Sequence, residues 1–278
     1  EADGVTFNAA RLQGAGVTMI NSVGSKIGVG TGNVISGNTG GILITNGRDN
    51  QVGNNKIGTD KDGNFLINEG QPWIATLIGI AVVNSPGIIV DSGAATNVIG
   101  GPATEANVIS GSQGVTRSAG IIIDGTAGIN NRILGNIVGL NATATESIPN
   151  NIGISATASS TIIGDDSAPE VFPYQSHLVV AGNVSGDILV GNTSNVTVAG
   201  TLAGITPNGA VFNSSAGIGF VNVQNSRIFR NIVSGHSNGL GIAVLQNSSG
   251  NKIESNCVGC PTGPQTVSSR NSIGMVIS

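Results

Sequence analysis

The sequence is short of charge. Only 9% of its 278 residues are Asp, Glu, Lys or Arg, and the formal net charge is −4. The 11 Lys and Arg residues are scattered along the chain and form no basic stripe, so we expect no nucleic-acid partner. No apolar run approaches the roughly 20 residues that a membrane-spanning helix needs, so we expect no membrane span.

Aromatic residues and helical patterns are also scarce. The chain has one Trp, one Tyr and six Phe, whereas a groove for a long polysaccharide is usually lined with aromatic rings. No stretch keeps the 3.6-residue apolar period of an amphipathic helix. These absences argue against an α-helical fold and against an extended sugar-binding groove.

What the sequence has instead is 44 glycines, many asparagines and an internal repeat. Four modules align on the Asn that opens a short run, and they span 33–106, 107–182, 183–230 and 231–278. Their opening runs read NVISGN, NVISGS, NVSGD and NIVSGH. Each module then holds two runs rich in Ile and Val with the alternation of a β-strand. Each module therefore predicts two turns of one repeating unit, and residues 1–32 are expected to add the N-terminal turn or turns.

The spacing of the strand-like runs predicts a solenoid. Nine runs start at residues 17, 41, 79, 120, 153, 187, 217, 241 and 274, at intervals of 24 to 41 residues. Asn and Gly fall at the corners, where positive backbone φ angles are needed, and stacked Asn side chains can hydrogen-bond from turn to turn. We predict an all-β fold, a right-handed parallel β-helix (solenoid) of about nine turns, forming a single domain over 1–278. Ile122 and Ile242 are expected in its interior.

The phrases NVISGN, GIxI and NxIGTD resemble the parallel β-helix repeats of the pectin-lyase-like superfamily. Within it, the chain is most similar to repetitive, secreted or surface-exposed microbial proteins described as adhesin-like. The resemblance extends from about Val17 to Ser278. It implies the fold but not one activity, because this fold carries lyases, hydrolases, phage spikes, adhesins and structural fibres.

One loop contains a candidate calcium site. The segment TDKDGN places Asp60, Asp62 and Asn64 at alternate positions, and Ca²⁺ prefers several oxygen ligands close together. The later ligand positions of a full calcium loop are not matched. The alternative is a turn in which Asp and Asn bond to their own backbone, with no cofactor.

A second inserted loop, GDDSAPEVFPYQSHL, contains Asp165, Asp166 and Tyr174. It is either a solvated surface loop or a binding loop with paired carboxylates. Trp73 lies in the inserted loop that follows Gly58. Aromatic side chains in such loops are candidates for ligand or subunit contacts, including contacts with surface glycans.

Cys257 and Cys260 form a single CVGC motif. One such pair is too little for a structural zinc site, which needs four ligands. A local disulfide or two thiols near a terminus is the favoured interpretation, and an intermolecular disulfide is the alternative. Six Asn-x-Ser/Thr sequons, which permit N-glycosylation but do not establish it, occur at Asn141, Asn183, Asn192, Asn195, Asn213 and Asn247.

An enzymatic function finds little support. Polygalacturonase-like β-helices carry DD and GHG phrases on neighbouring turns, and here Asp165-Asp166 and Gly235-His236 are the nearest equivalents. They are separated by at least two turns, about 10 Å at ~4.8 Å per turn. His236 also stands where the first module has Asn38, so it reads as a variable repeat position.

A pectate-lyase-like reaction is also poorly supported. It would need an Arg base and a cluster of acids on adjacent turns. Arg227 and Arg230 have no such cluster at one-turn spacing. We therefore assign no catalytic residue and expect a non-enzymatic protein, with a polysaccharide-binding or polysaccharide-cleaving (lyase or hydrolase) β-helix as the alternative.

The expected role is that of an extracellular or cell-surface structural or adhesive protein. The chain opens at Glu1, which suggests a processed N-terminus, and its last run, GMVIS, ends without a polar cap. An open β-helix end exposes unpaired strand edges. We expect this end to be covered by another copy, giving a head-to-tail filament, or by further domains of a longer chain, giving a surface stalk.

Overall fold

The structure is a computed structural model, and it describes residues 15–38, 40–65, 78–83, 94–113, 119–167, 178–262 and 270–278. Its regular elements there are β-strands, apart from a short 3-10 helix over Ala103–Glu105. The strands form three parallel sheets of nine, eight and eight strands. The described part of the chain holds no helix long and apolar enough to cross a membrane.

The first sheet contains the longest strands. They are β1 (Ala15–Ile20), β4 (Gly40–Thr45), β7 (Ile78–Val83), β10 (Ala119–Ile123), β13 (Ile152–Ala156), β16 (Gly186–Ser194), β19 (Ala216–Gln224), β22 (Leu240–Leu245) and β25 (Ile273–Ile277). They pair in this order, so the nine predicted strand-like runs all fall in one sheet.

The second and third sheets contain strands of two or three residues. The second holds β2 (Lys26–Ile27), β5 (Gln51–Val52), β8 (Val98–Ile99), β11 (Arg132–Ile133), β14 (Ile162–Gly164), β17 (Thr197–Ala199), β20 (Arg227–Phe229) and β23 (Lys252–Glu254). The third holds β3 (Val34–Ile35), β6 (Lys56–Ile57), β9 (Val108–Ile109), β12 (Ile137–Val138), β15 (Leu178–Val180), β18 (Thr201–Ala203), β21 (Ile232–Val233) and β24 (Cys257–Val258).

The chain visits the three sheets in turn. Each strand pairs in parallel with the strand three places before it and the strand three places after it. One passage through the three sheets is called a layer here. The all-β class and the stacking of parallel strands agree with the predicted solenoid, in which a layer contacts only its neighbours.

The core lies between the three sheets and consists of Ile, Val and Ala. Ile121, Ile154 and Ile242 are fully buried, and they occupy the same register position of the first sheet. The expectation for Ile242 is confirmed, but that for Ile122 is wrong. Ile122 is half-buried and points away from the core, because side chains alternate between the two faces of a strand. Residues 121–123 are three consecutive isoleucines, with no polar residue between them to mark the outward face of the strand. The sequence therefore does not reveal which of them point into the core.

Left-handed backbone marks the corners, as the repeat predicts. Gly58, Gly139, Gly204 and Gly259, which align in the four modules, have φ angles of 74° to 89°. At Gly139 a Cβ atom would also lie 2.3 Å from the carbonyl oxygen of Ala181 in the next layer. Glycine is required there by conformation and by the close approach of two layers.

The core assignment predicts that alanine substitutions at two neighbouring residues of β10 lower the free energy of unfolding by different amounts. Ile121→Ala should lower the free energy of unfolding by about 2–5 kcal/mol, because it leaves a cavity in the core. Ile122→Ala is the matched control and should cost much less. Chemical denaturation of the two variants measures both values. Equal losses would contradict the assigned faces of the strand.

Candidate functional site

Buried asparagines lie immediately before strands of the second sheet, at Asn50, Asn97 and Asn131. They form the first polar ladder, which is a row of side chains, one in each layer, that are hydrogen-bonded from layer to layer. The Oδ1 of Asn97 accepts from the backbone N–H of Asn50 at 3.1 Å and from its Nδ2 at 3.0 Å. The Nδ2 of Asn97 donates to Oδ1 of Asn131 at 3.0 Å and to the carbonyl of Gly47 at 2.9 Å. The buried carboxamide is thus hydrogen-bonded through both its oxygen and its nitrogen.

A second polar ladder precedes the strands of the third sheet, through Asn33, Asn55, Asn107 and Asn136. Oδ1 of Asn107 accepts from the N–H and the Nδ2 of Asn55, at 2.9 and 3.0 Å. Asn231 and Asn256 repeat this pair of bonds later in the chain. Each carboxamide oxygen thus accepts from the asparagine of the preceding layer, which gives this set of bonds a direction, while the Nδ2 groups of Asn55 and Asn107 also donate back to backbone carbonyls of the preceding layer.

The third polar ladder lies beside the first sheet, and its composition changes along the stack. Ser112 and Asn150 donate backbone N–H groups to Oδ1 of Asn150 and Asn183 respectively. Asn183 then donates through Nδ2 to Oδ1 of Asp187 at 2.9 Å. Oδ2 of Asp187 lies 2.9 Å from Nε2 of His236. An ionisable pair therefore replaces part of an amide ladder.

The strand register shows why a carboxylate fits at this position. One row of the first sheet holds glycine in eight layers and aspartate in one. The row consists of Gly16, Gly41, Gly79, Gly120, Gly153, Asp187, Gly217, Gly241 and Gly274.

These glycines make room for the ladder residue of the following layer. A Cβ on Gly153 would lie 2.7 Å from Nδ2 of Asn183, and one on Gly241 would lie 2.6 Å from Nδ2 of Asn271. Beside Asp187 the following layer has Ser214, whose side chain is smaller than that of Asn. Asp187 and Ser214 together thus replace the Gly and Asn of other layers, and the carboxylate takes the place of a carboxamide.

Asp187 and His236 are both completely buried. Burial raises the pKa of the Asp187 carboxyl above its ordinary value, and hydrogen bonds with His236, Asn183 and Ser214 act in the opposite direction. A fully buried pair cannot reach a substrate in solution. The pair is therefore not arranged for catalysis at the surface.

A cleft of about 360 Å³ lies on the outside, along the connections from the second sheet to the third. Its lining includes Arg132, Leu134, Asp165 and Leu178. Nη2 of Arg132 donates to Oδ1 of Asp166 at 3.0 Å. The lining thus combines a cation, one carboxylate and apolar side chains, which suits a small polar ligand.

The carboxylates at this cleft are already engaged. Oδ1 of Asp165 accepts from the backbone N–H of Ser167 at 2.9 Å and from its hydroxyl at 2.6 Å. Asp166 is the partner of Arg132. His236, the other residue compared with a hydrolase motif, bonds to Asp187 in the buried ladder instead. The structure therefore does not bring these three residues into one constellation.

The calcium candidate forms a turn. Oδ1 of Asp60 accepts from the N–H groups of Asn64 and Phe65, at 2.7 and 3.2 Å. Asp62 pairs with Lys61 at 2.6 Å. Within the described ranges no group of three or more His, Cys, Asp and Glu residues could hold a metal ion. Calcium binding by Asp60, Asp62 and Asn64 stays a prediction.

The same turn recurs two layers later without a carboxylate. Oδ1 of Asn141 accepts from the N–H groups of Thr145 and Glu146, at 2.8 and 3.2 Å. The two turns are stacked, since Ala142 donates its N–H to the carbonyl of Gly63 at 2.8 Å. An uncharged Asn makes the same two bonds, so the geometry at Asp60 has a structural explanation.

The remaining sequence candidates fall into three groups. The sulfurs of Cys257 and Cys260 are bonded as a disulfide. Trp73 and Tyr174 lie outside the described residues. The sequon asparagines divide by exposure: two are buried and bonded within the protein, and four are exposed. The buried ones are Asn141 and Asn183, and the exposed ones are Asn192, Asn195, Asn213 and Asn247.

Sequence reasoning missed the Asp187–His236 pair. Two signals were present in the aligned modules. Asp187 replaces glycine at a strand start, and His236 replaces the asparagine of the first module. Each substitution alone reads as tolerated variation, and only the register of the strands shows that the two side chains meet.

The ladders predict a large cost for removing one buried carboxamide. Asn97→Ala leaves hydrogen-bonding groups of two neighbouring layers unsatisfied, at about 1–3 kcal/mol for each buried group. The exposed Asn213→Ala is the control and should change stability by less than about 0.5 kcal/mol. Denaturation midpoints measure the difference. An Asn97 variant as stable as the control would show that the ladder contributes nothing.

No protein family matches the chain, and no curated protein or solved structure is significantly similar to it.

Proposed function

We propose that the chain is a right-handed parallel β-helix of about nine turns, related to adhesin-like β-helix repeat proteins. It acts outside the cell, or at its surface, as a non-enzymatic structural or adhesive element. The observation that carries the proposal is the direction of the polar ladders. They commit the buried asparagines of the ladders to contacts between layers, and each ladder carboxamide oxygen accepts from the layer before it.

The ladder direction makes the first and last layers complementary. Asn33, in the first described layer, donates its backbone N–H and its Nδ2 to Oδ1 of Asn55. In the pattern of the ladder, Oδ1 of Asn33 is the acceptor that a preceding layer would use. Oδ1 of Asn256, in the last strand pair of the third sheet, already accepts from Asn231. Its backbone N–H is the donor that a following layer would use. A first layer thus offers acceptors where a last layer offers donors.

The last strand also presents apolar side chains. Ile273, Met275 and Ile277 of β25 are 48%, 43% and 67% exposed. Among the described residues, β25 pairs with β22 on one edge only. A strand edge with exposed apolar side chains is a template for pairing with another strand.

The partner is a further β-helix turn. A second copy of the chain that supplies it would generate an open filament, because the contact joins two different faces. Further turns of a longer chain would produce a stalk of the same construction. Both are structural assemblies, and neither requires a catalytic site or a cofactor.

Electron microscopy with a light-scattering mass distinguishes these assemblies. Uniform fibres with an axial repeat of roughly 40 Å, about nine turns at ~4.8 Å, are expected for the homopolymer. Charge introduced on the edge strand by Met275→Lys should shorten the fibres, and the exposed loop variant Asn213→Ala should not. Monomeric rods at all concentrations would contradict self-assembly into a filament. The stalk, formed by further turns of a longer chain, would then be the remaining assembly.

The cleft at Arg132 supports a second candidate function, binding or cleavage of a polysaccharide. The cation, the carboxylate and the apolar groups of this cleft can contact the acidic, hydroxyl and ring portions of a sugar.

A glycan array followed by calorimetry tests this alternative. If the cleft binds glycans, Arg132→Ala should weaken binding at least tenfold. Lys26→Ala, on the same outward row of the second sheet, should leave it unchanged. An array without hits, and no release of reducing or unsaturated ends from acidic polysaccharides, would exclude it.

A further inference from the structure

The Asp187–His236 contact bridges layers that are not sequence neighbours. Asp187 is the second residue of β16, and His236 precedes β22, so the bond passes across the layer of β19. In that intervening layer, the small Ser214 takes the ladder position. The pair therefore fastens three consecutive layers together through two ionisable side chains.

The groups around the pair are uncharged. Asn183 and Ser214 contact the carboxylate, and Asn271 contacts the imidazole. Backbone of Gly204 and Gly217 approaches the ring, since a Cβ on either would lie within 3 Å of its Cε1. Within the described part of the molecule, the only ionisable group that contacts Asp187 is His236, and the only one that contacts His236 is Asp187.

The hydrogen bonds of Asn271 determine where the imidazole carries a proton. Nδ2 of Asn271 donates to the carbonyl of Val233 at 3.0 Å, which turns Oδ1 toward the imidazole. Oδ1 then lies 3.0 Å from Nδ1 of His236 and also accepts its backbone N–H. Because Oδ1 can only accept, Nδ1 carries a hydrogen.

One further proton must therefore lie between Nε2 and Oδ2 of Asp187. With it, the contact is a hydrogen bond, whether the proton resides on nitrogen or on oxygen. Without it, the lone pair of Nε2 faces a bare carboxylate at 2.9 Å in a site without water access. A buried, unpaired carboxylate is strongly destabilised.

We propose that Asp187 and His236 form a proton-dependent lock that holds the layers of β16, β19 and β22 together and weakens in alkaline solution. This inference does not rest on the proposed function, because a monomer, a filament or a stalk would each contain the lock.

The sign follows from proton counting. In the unfolded chain, an aspartate has lost its proton above about pH 3.9 and a histidine above about pH 6.5. The folded pair keeps one proton, consistent with the raised pKa of Asp187. Above neutral pH the folded state thus binds more protons than the unfolded state, and stability falls as pH rises. The contribution is complete in mildly acidic solution and is lost as pH rises through the folded pKa.

The repeat itself supplies the control. The triple variant Asp187→Gly, Ser214→Asn, His236→Asn restores the residues found at these positions in other layers. It should fold with an uninterrupted amide ladder. Asp187→Asn is a second variant, whose Nδ2 can donate to Nε2 of a neutral imidazole without a titrating proton.

The experiment is denaturant unfolding of the full chain at pH 6 to 10. The two proteins are compared between pH 7 and the pH at which the pair loses its proton. For each pH unit in this range, the unfolding equilibrium constant of the wild type should increase by up to about tenfold more than that of the triple variant. Asp187→Asn should follow the triple variant. Equal slopes in the wild type and the triple variant would overturn the proposal.

A second measurement can be interpreted on the wild type even if the variants fold poorly. Refolding at pH 8 in buffers of different ionisation enthalpy reports proton uptake. The lock predicts an uptake of about one proton beyond that of the triple variant, or a total near one if that variant cannot be refolded. No uptake would overturn the proposal.

Discussion

The stack depends on satisfying buried amide side chains from the neighbouring layers. A carboxamide inside the protein must use its oxygen and its N–H groups, or it costs free energy. Asn97 does so through Asn50, Asn131 and Gly47, which lie in the layers around it. No layer can satisfy its ladder residues alone, so each requires its neighbours in register. The short strands of the second and third sheets form few backbone hydrogen bonds per layer. The side-chain ladders add further hydrogen bonds between the same layers.

This constraint also explains the unusual composition. Buried ladder positions favour an uncharged side chain with one acceptor and two donors, and Asn meets that need. The adjacent row of the first sheet favours glycine, since a Cβ on Gly153 or Gly217 would lie within 3 Å of the ladder residue. Charged residues of the described ranges lie outside, apart from Asp60 in its turn and the Asp187–His236 pair. The pair is accommodated because a carboxylate and an imidazole can continue the same chain of hydrogen bonds when they share a proton.

The repeat and the strand period were sufficient to predict the parallel sheets, the nine strands of the first sheet and the corner glycines. They were insufficient wherever a residue's role depended on register. Ile122 was assigned to the core because three consecutive isoleucines conceal the alternation. At Asp60 the sequence does not distinguish a turn-forming aspartate from a calcium ligand, because both have the same local sequence, and calcium binding there stays a prediction. The Asp187–His236 pair joins positions 49 residues apart, and a match between an unusual strand start and an unusual ladder residue becomes visible only when the layers are aligned in space.

The central claim, that buried side-chain amides hold the layers together, is tested most directly by hydrogen exchange of the Asn carboxamides in the native protein. The signals of Asn97, Asn107 and Asn136 should be protected to the same degree as the backbone amides of the adjoining strands, because opening them requires separating two layers. The exposed carboxamide of Asn213 supplies the unprotected reference. Ladder carboxamides that exchange as fast as Asn213 while the strands remain protected would show that the strands stack without them, and the account would be wrong.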